Sequence, residues 1–361
     1  MAFVSGQLKE AGIQGKPRDI MDEIFSVAPT DTPFLSMCGR TEASQALHEW
    51  QTDDLVLPGE NERLEGADTT EFTSTTSTEL NNRTQILSKA INVSGTSQAV
   101  RQAGVDSQYA YQMALRTKEL KRDVEYALLH NKLARPESGS EARLMTGLPC
   151  WFTEGGNMRL GTGGNAATAS AVAVAGTLRE PDEAELKGLL MDIYSAGGSP
   201  DCIMMSPEIR VKMSEVLTGG ATRMEKAEEK AVHAVIDVYV SDFGTLKLVP
   251  NRVQAYEPYA KNCAFILDPE YWKVAYLRGF TEEKLAKTGD SLKGHVLVEC
   301  TLEARQPKSS GVYAALKAYG KGDGGGANAL RAGESEDGAL GVLAGASFVS
   351  CRRAPGLFFL N

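Results

Sequence analysis

Four residues with acid–base character crowd into one short stretch, HEWQTDDLVLP: His48, Glu49, Asp53 and Asp54. An imidazole beside carboxylates is the raw material of general acid–base catalysis, or of a metal site. The spacing argues against both. Asp53 and Asp54 are adjacent, so on an extended strand their carboxylates leave from opposite faces and cannot share a proton or an ion. The other histidines, His130, His233 and His295, are scattered and form no zinc-binding pair at helical spacing. His130 and His295 are expected in ordinary surface or half-buried places. No P-loop and no nucleophile elbow occurs, and GTGGNA at 161–166 lacks the dinucleotide fingerprint. The six cysteines, Cys38, Cys150, Cys202, Cys263, Cys300 and Cys351, are all more than thirty residues apart, which rules out a paired zinc ribbon. Cys202, Cys263 and Cys300 sit in apolar runs and are expected to be reduced and buried. No catalytic, cofactor-binding or metal-ligating residue is assigned, and the chain is expected not to be an enzyme.

If these polar residues do no chemistry, the elements around them must explain them. Over 46–58, His48, Trp50 and Thr52 alternate with Glu49, Gln51 and Asp53, a half-buried strand pattern. A second run over 84–100 sets Leu87, Lys89, Ile91 and Val93 against Ile86, Ser88, Ala90 and Asn92. Between them lie some 25 acidic and Thr-rich residues with almost nothing to bury. The pattern predicts a long two-stranded ribbon with an acidic tip. From Thr41 to Arg83 there are ten acids and two bases, a net of −8 against −9 for the whole chain. From Arg101 to Arg135 seven bases face four acids, a net of +3.

That basic segment contains the strongest helix signal. Asp106 and Ser107 are candidate caps, Pro136 bounds the far end, and Met113, Thr117, Leu120, Val124 and Ala127 make one apolar stripe. Upstream, Ile20, Ile24 and Phe25 suggest a small helix in an extended arm, with Pro29 and Pro33 stopping any helix. Downstream, Asp182 and Glu185 resemble a capping box for a helix that ends at Gly197 and Gly198. DCIMMS reads as a buried strand, and Ser206-Pro207 as the start of another helix. Strands are expected at 232–241, 245–249 and 263–267, then in WKVAYLR and GHVLVECTLEA. In the last, Val296, Val298, Cys300 and Leu302 alternate with Leu297, Glu299, Thr301 and Glu303. Few helices and several non-alternating strands give an α+β class. A Gly-rich linker begins at Lys317. The 42% hydrophobic content is enough for a sizeable core, the net charge of −9 argues against a generic nucleic-acid binder, and no run is long and apolar enough for a signal peptide or a membrane span.

Several stretches together carry a family resemblance: TPFLSM running into Cys38, HEWQTDDL, NNRTQI with VSGTSQAV, YQMALRTKELKRDVE and GLLMDIYSAGGSPDCIMMSP. DFGTLKLVPNR, LDPEYWKVAYLRGF and LAKTGDSLKGHVLVECTLEARQ continue it. Over roughly residues 5–316 the chain resembles tailed-bacteriophage major capsid proteins of the Hong Kong 97 fold. The resemblance implies an N-terminal arm at 1–44, an E-loop ribbon at 45–95, and a peripheral domain with its spine helix at 96–144 and 271–316. It also implies an axial domain at 145–270, and leaves 317–361 as a C-terminal extension outside the family pattern.

The function so implied is self-assembly into the icosahedral shell of a virion enclosing double-stranded DNA. The partners would be other copies in hexamers and pentamers, a scaffolding protein, a portal and a decoration protein. DNA contact would be weak and non-specific, no membrane would be involved, and assembly would take place in the host cytoplasm. An encapsulin-type compartment loading an enzyme cargo is the alternative on the same fold. Some members cross-link through a lysine on the E-loop. Here Asp53 to Arg83 contains none, and Lys89 lies near the base, so no isopeptide bond is expected.

Overall fold

Two runs, CIMM at 202–205 and AFIL at 264–267, are apolar at every position and require cover on both faces. A computed structural model describes residues 30–318 apart from 56–57, 63–64, 67, 69–71, 73, 75, 101–104, 154–156, 221–237 and 288, and both runs are strands in the middle of one sheet. In chain order the helices are α1 Pro33–Met37, α2 Gly95–Ala99, α3 Gln108–Leu129, α4 Glu183–Ser195 and α5 Pro207–Gly220. The strands begin with β1 Gly39–Glu42, β2 Leu47–Thr52, β3 Thr78–Arg83, β4 Gln85–Ser94, β5 Met158–Arg159 and β6 Cys202–Met205. They continue with β7 Val238–Ser241, β8 Gly244–Pro250, β9 Ala264–Leu267, β10 Trp272–Lys284, β11 Ser291–Ala304 and β12 Gly311–Tyr313. The expected small helix at Ile20–Phe25, the start of the strand expected at 232–241, His233, Cys351 and the chain beyond 318 lie outside the described residues.

The six-stranded sheet runs β5-β12-β9-β6-β8-β7. Its central strands feed two cores by alternation. Cys202, Met204, Phe265 and Leu267 enter the larger core with Trp272 and the base of α3. Ile203, Met205, Ala264 and Ile266 face Leu186, Leu189, Leu190 and Ile193 of α4 and Ile209, Met213 and Leu217 of α5. Each of these large side chains is essentially excluded from solvent, worth about 2 kcal/mol apiece. Asp182 caps α4 by accepting from Ala184 N at 3.1 Å. Glu185 does not complete a capping box and instead takes Arg179 at 2.7 Å. Gly197, at φ +90, ends the helix in a conformation closed to most side chains.

The four-stranded sheet runs β1-β10-β11-β4, with β1 parallel to β10 and the other neighbours antiparallel. Here the structure departs from the expected ribbon. The run at 84–100 does form a strand, β4, but it pairs with β11, and the partner of β2 is β3. The reason is burial. Leu87, Ile91 and Val93 need an apolar surface, which a two-stranded ribbon cannot offer and the sheet under α3 can. β10 and β11 share a long pairing broken by register shifts between Tyr276 and Arg278 and between Arg278 and Thr281. β1 pairs only as far as Tyr276, and beyond it the outer edge of β10 has no strand partner among the described residues.

Helix α3 lies across this sheet, with Met113, Leu120, Val124 and Ala127 buried as the stripe requires. Ser107 is its N-cap and accepts from Ala110 N at 3.4 Å. It has 22 residues, about 33 Å at ~1.5 Å rise, and stops at Leu129, well short of Pro136. Pro33 occupies the first turn of α1, so it opens a helix where a stop was expected. Buried Glu125 of α3 holds that turn, accepting from Phe34 N at 2.9 Å, Leu35 N at 2.7 Å and Asn251 Nδ2 at 2.7 Å. Burial raises its carboxyl above the ordinary value against those donors.

His130, at the C-cap of α3, also departs from expectation: it is fully buried, not at the surface. Gly147 lies against it so closely that a Cβ there would meet His130 O at 1.9 Å. Neither ring nitrogen has a hydrogen-bond partner on another residue. Burial pushes the imidazole down from 6.5 to about 4, with Lys132 adding repulsion. The unfolded chain therefore binds this proton first as pH falls. The stabilising contribution is complete above pH 6.5 and is lost between 6.5 and about 4, to a total of about 3 kcal/mol. The urea midpoint of the unassembled chain should fall from pH 7 to pH 4.5. In His130→Leu the same fall should be shallower by that amount, and equal slopes would show that His130 carries no such linkage.

Candidate functional site

The stretch that opens the search for chemistry is the first strand of a polar ribbon. β2 and β3 pair from Leu47↔Arg83 to Thr52↔Thr78. His48, Trp50 and Thr52 are half-buried, while Glu49, Gln51 and Asp53 face solvent. The sequence alternation is therefore correct on this strand. The inward face does not gather into a reactive centre. It seats the ribbon on the last third of β11.

Residues 299–304 of β11 are buried on both faces. Val298, Cys300 and Leu302 go to the core under α3, which leaves Glu299, Thr301 and Glu303 beneath the ribbon and its neighbours. Glu299 accepts from Thr84 Oγ1 at 2.9 Å, Arg143 Nη2 at 2.7 Å and Arg278 Nε at 2.8 Å. Glu303 meets Arg305 Nε at 2.8 Å and His48 Nε2 at 3.3 Å. A buried carboxylate without such partners would cost several kcal/mol, about 3–5 when one partner of a pair is removed. Here two carboxylates share three guanidinium groups and a histidine, drawn from four separate parts of the chain.

The ribbon adds neutral clamps to this ionic seat. Trp50 Nε1 donates to Ala304 O at 2.8 Å, and the Trp50 ring lies 5.4 Å from Trp151 and 5.6 Å from the His48 ring. Asn82, fully buried on β3, donates to Leu302 O at 2.8 Å and Thr146 O at 3.2 Å. Its Oδ1 accepts from Thr146 N at 2.8 Å and Arg83 N at 2.9 Å, so all four hydrogen-bonding positions of the amide are used. At the outer end, Asp54 takes Lys308 and Gln306, and the Lys308 ammonium holds its carboxyl below the ordinary value. Asp53 contacts only the Asp54 backbone among the described residues. Sequence reading missed Asn82, Glu299, Glu303 and Arg143. The available signal was an Asn in a strand, a poor strand former, and two Glu residues at alternating positions in an otherwise apolar run.

Past Asp54 the character reverses. Glu60, Glu62, Glu65 and Asp68 are all exposed, and none of them has an ion-pair partner among the described residues. Leu55 is 97% exposed and Phe72 88% exposed. On the opposite pole of charge, Lys118 and Lys121 are exposed on α3 and, with half-buried Arg122, carry no ion pair among the described residues. Lys89 is tied to Asp123 at 2.8 Å and Arg116 to Glu119. No cluster of three or more His, Cys, Asp or Glu residues suited to a metal occurs among the described residues. Cys38, Cys150, Cys202, Cys263 and Cys300 are unpaired and buried, and burial raises each thiol. Those environments oppose thiolate chemistry.

Comparison with known proteins gives a consistent picture. A family model described as SU10 major capsid protein matches residues 4–317. A curated relative, the major capsid protein of Escherichia phage Phieco32, is 26% identical over 334 residues, covering 82% of this chain and 94% of its own. Among solved structures, that of Mycobacterium phage Adephagia aligns at TM-score 0.56 and 14% identity over 87% of this chain and all of its own. The cyanophage A-1(L) capsid asymmetric unit aligns at 0.55 and 14% over 85% and 98%. A holo-SrpI encapsulin complex from Synechococcus elongatus aligns at 0.52 and 10% over 83% and 92%.

The anchor can be tested through its most completely satisfied member. Asn82→Ala strands the Thr146 amide and two carbonyls in the interior, and is expected to cost about 2–3 kcal/mol in urea unfolding. Faster amide exchange at Thr146 and along β3 should accompany it. Unchanged exchange there would mean that the ribbon is held by other contacts.

Proposed function

The chain belongs to the SU10 major capsid protein family and builds a phage capsid shell, and from that premise we propose that its acidic ribbon is the arm by which each copy reaches its neighbour. The observation that carries this reading is the contrast along one element: a base tied down by buried ionic and neutral contacts, then a run of exposed, unpaired acids. A rigid base fixes the direction of departure. The charges beyond it remain free for a second molecule. The opposite charge is offered by α3 through Lys118, Lys121 and Arg122, so the ribbon of one copy lies over the basic helix of the next.

Each exposed ion pair contributes only ~0–1 kcal/mol, so the charges set orientation and register while apolar burial supplies the affinity. Contacts of about 2,000 Å² or more between neighbours suit an obligate assembly. The division of labour follows the Hong Kong 97 pattern: arm at 1–44, an E-loop running from 45 to Arg83, a peripheral domain at 96–144 and 271–316 that β4 joins, and an axial domain at 145–270 whose sheet takes in β12. Copies form hexamers and pentamers that close into an icosahedral shell around double-stranded DNA. Assembly takes place in the host cytoplasm with a scaffolding protein and a portal, and a decoration protein completes the outer surface. Packaged DNA touches the shell weakly and without sequence preference, and the role is structural, with no bond made or broken. The phage reading is favoured over an enzyme-loading compartment because the family model and the curated relative are both described as a major capsid protein, the relative as that of a phage, whereas the encapsulin shares the fold at 10% identity.

Reversing Glu60, Glu62 and Glu65 to Lys together should lower the yield of shells seen by electron microscopy and change its salt dependence. An unaltered yield with unaltered salt sensitivity would remove the ribbon from the interface. The lysine-free run from Asp53 to Arg83 also predicts that mature particles run as a single monomer band in denaturing electrophoresis. A ladder of covalent multimers would contradict it.

A further inference from the structure

The ribbon beyond its anchor is polar except for two side chains that break the pattern. Leu55 and Phe72 are the most solvent-exposed large apolar residues described in the protein, at 97% and 88%, and the next, Val240, is 74% exposed. Leu55 lies three residues past β2 and Phe72 six residues before β3, so one sits on each limb of the acidic loop. Apolar side chains this exposed are not packed against the described residues of their own chain. Among charges that stay solvated, they are the groups able to supply burial energy to a contact.

A complementary surface lies beside α3. A groove of about 370 Å³ runs between the helix and the segment Val253–Tyr256. Tyr126 and Tyr256, 40% and 56% exposed, form its aromatic walls, with Val253 at its floor. The charges lining it balance, Lys89 and Arg122 against Glu119 and Asp123. Asp123 is neutralised by Lys89 and Glu119 by Arg116, and Glu257, which faces Tyr126, is buried. Arg122 lines the groove and carries no ion pair among the described residues, and Lys118 and Lys121 stand exposed on the same helix. Aromatic walls beside Arg122, with further unpaired cations on the same helix, match an apolar side chain carried on an acidic loop.

We infer that Phe72, assisted by Leu55, docks in the Tyr126–Tyr256 groove of a second copy and is the apolar anchor of the ribbon contact. This rests on the reading of the ribbon as an intersubunit arm and names its seat. The acids around the anchor then hold register against Lys118, Lys121 and Arg122, while the ring provides the grip.

The test uses the full chain. Phe72→Cys and Tyr256→Cys are made separately, and the two variants are mixed, assembled and oxidised beside the unsubstituted chain. A disulfide-linked dimer found in the mixed shells, and in neither single-variant shell nor the unsubstituted shell, is the expected result, because it can arise only between copies. Shells that form normally by electron microscopy but give no such dimer would overturn the seat while leaving the shell role intact. Unaltered shell yield and salt sensitivity in the variant with Glu60, Glu62 and Glu65 reversed to Lys would overturn the intersubunit reading and the seat with it. In parallel, Phe72→Ala should raise the protein concentration needed for half-maximal assembly by about tenfold or more, as truncating an interface anchor does. An unchanged concentration would overturn the anchor.

Discussion

Two carboxylates inside the protein hold its parts in one arrangement. Glu299 and Glu303 sit on the buried end of β11, and each is usable there only because polar partners, most of them from distant segments, converge on it. Arg143 arrives from the chain after α3, Arg278 from β10, Arg305 from beyond β11, and His48 and Thr84 from the two limbs of the ribbon at its base. Removing a partner would leave charge in a place from which water is excluded. The ionic seat thus makes the ribbon's position a condition of the fold's stability, and it couples the four-stranded sheet to the element that leaves it.

The two faces of β11 show how one strand serves both purposes. Val296, Val298, Cys300 and Leu302 close the core beneath α3 by simple apolar burial. The alternating residues carry the polar contacts that choose one geometry among those the core would tolerate. Glu125 plays a similar part elsewhere, joining the first turn of α1 to Asn251 near the six-stranded sheet through one carboxylate. The body is therefore fixed by a few buried acids set in a large hydrophobic interior. The exposed acids of the ribbon have no such partners and remain available to other molecules.

Much of this was readable from periodicity. The stripe from Met113 to Ala127, the alternation of Val296 to Leu302, the cap at Asp182 and the wholly apolar runs at 202–205 and 264–267 all stand where side-chain spacing puts them, because the element's own sequence fixes them. The return strand of the ribbon, TELNNR, was not readable. Its one buried residue is an asparagine, held by a carbonyl from β11 and a backbone turn at Thr146. The more apolar run after it took the assignment instead. The burial of Glu299, Glu303 and His130 was hidden for the same reason, since what covers them comes from remote parts of the chain. Pro33 was ambiguous by nature: the same ring that ends a helix from within begins one at its first turn.

The irregular pairing of β10 has a bearing on solubility. Past Tyr276 this strand has no strand neighbour on its outer side among the described residues, and a long, straight, unpaired edge is the usual template for sheet-to-sheet aggregation. The two register shifts around Arg278 bend the strand and break the even row of amides and carbonyls that an incoming strand would need. Many copies of this chain accumulate side by side before they close into particles. In so crowded a state the defect in the ladder acts as a guard, discouraging growth into fibres and leaving closed association as the route that stays open.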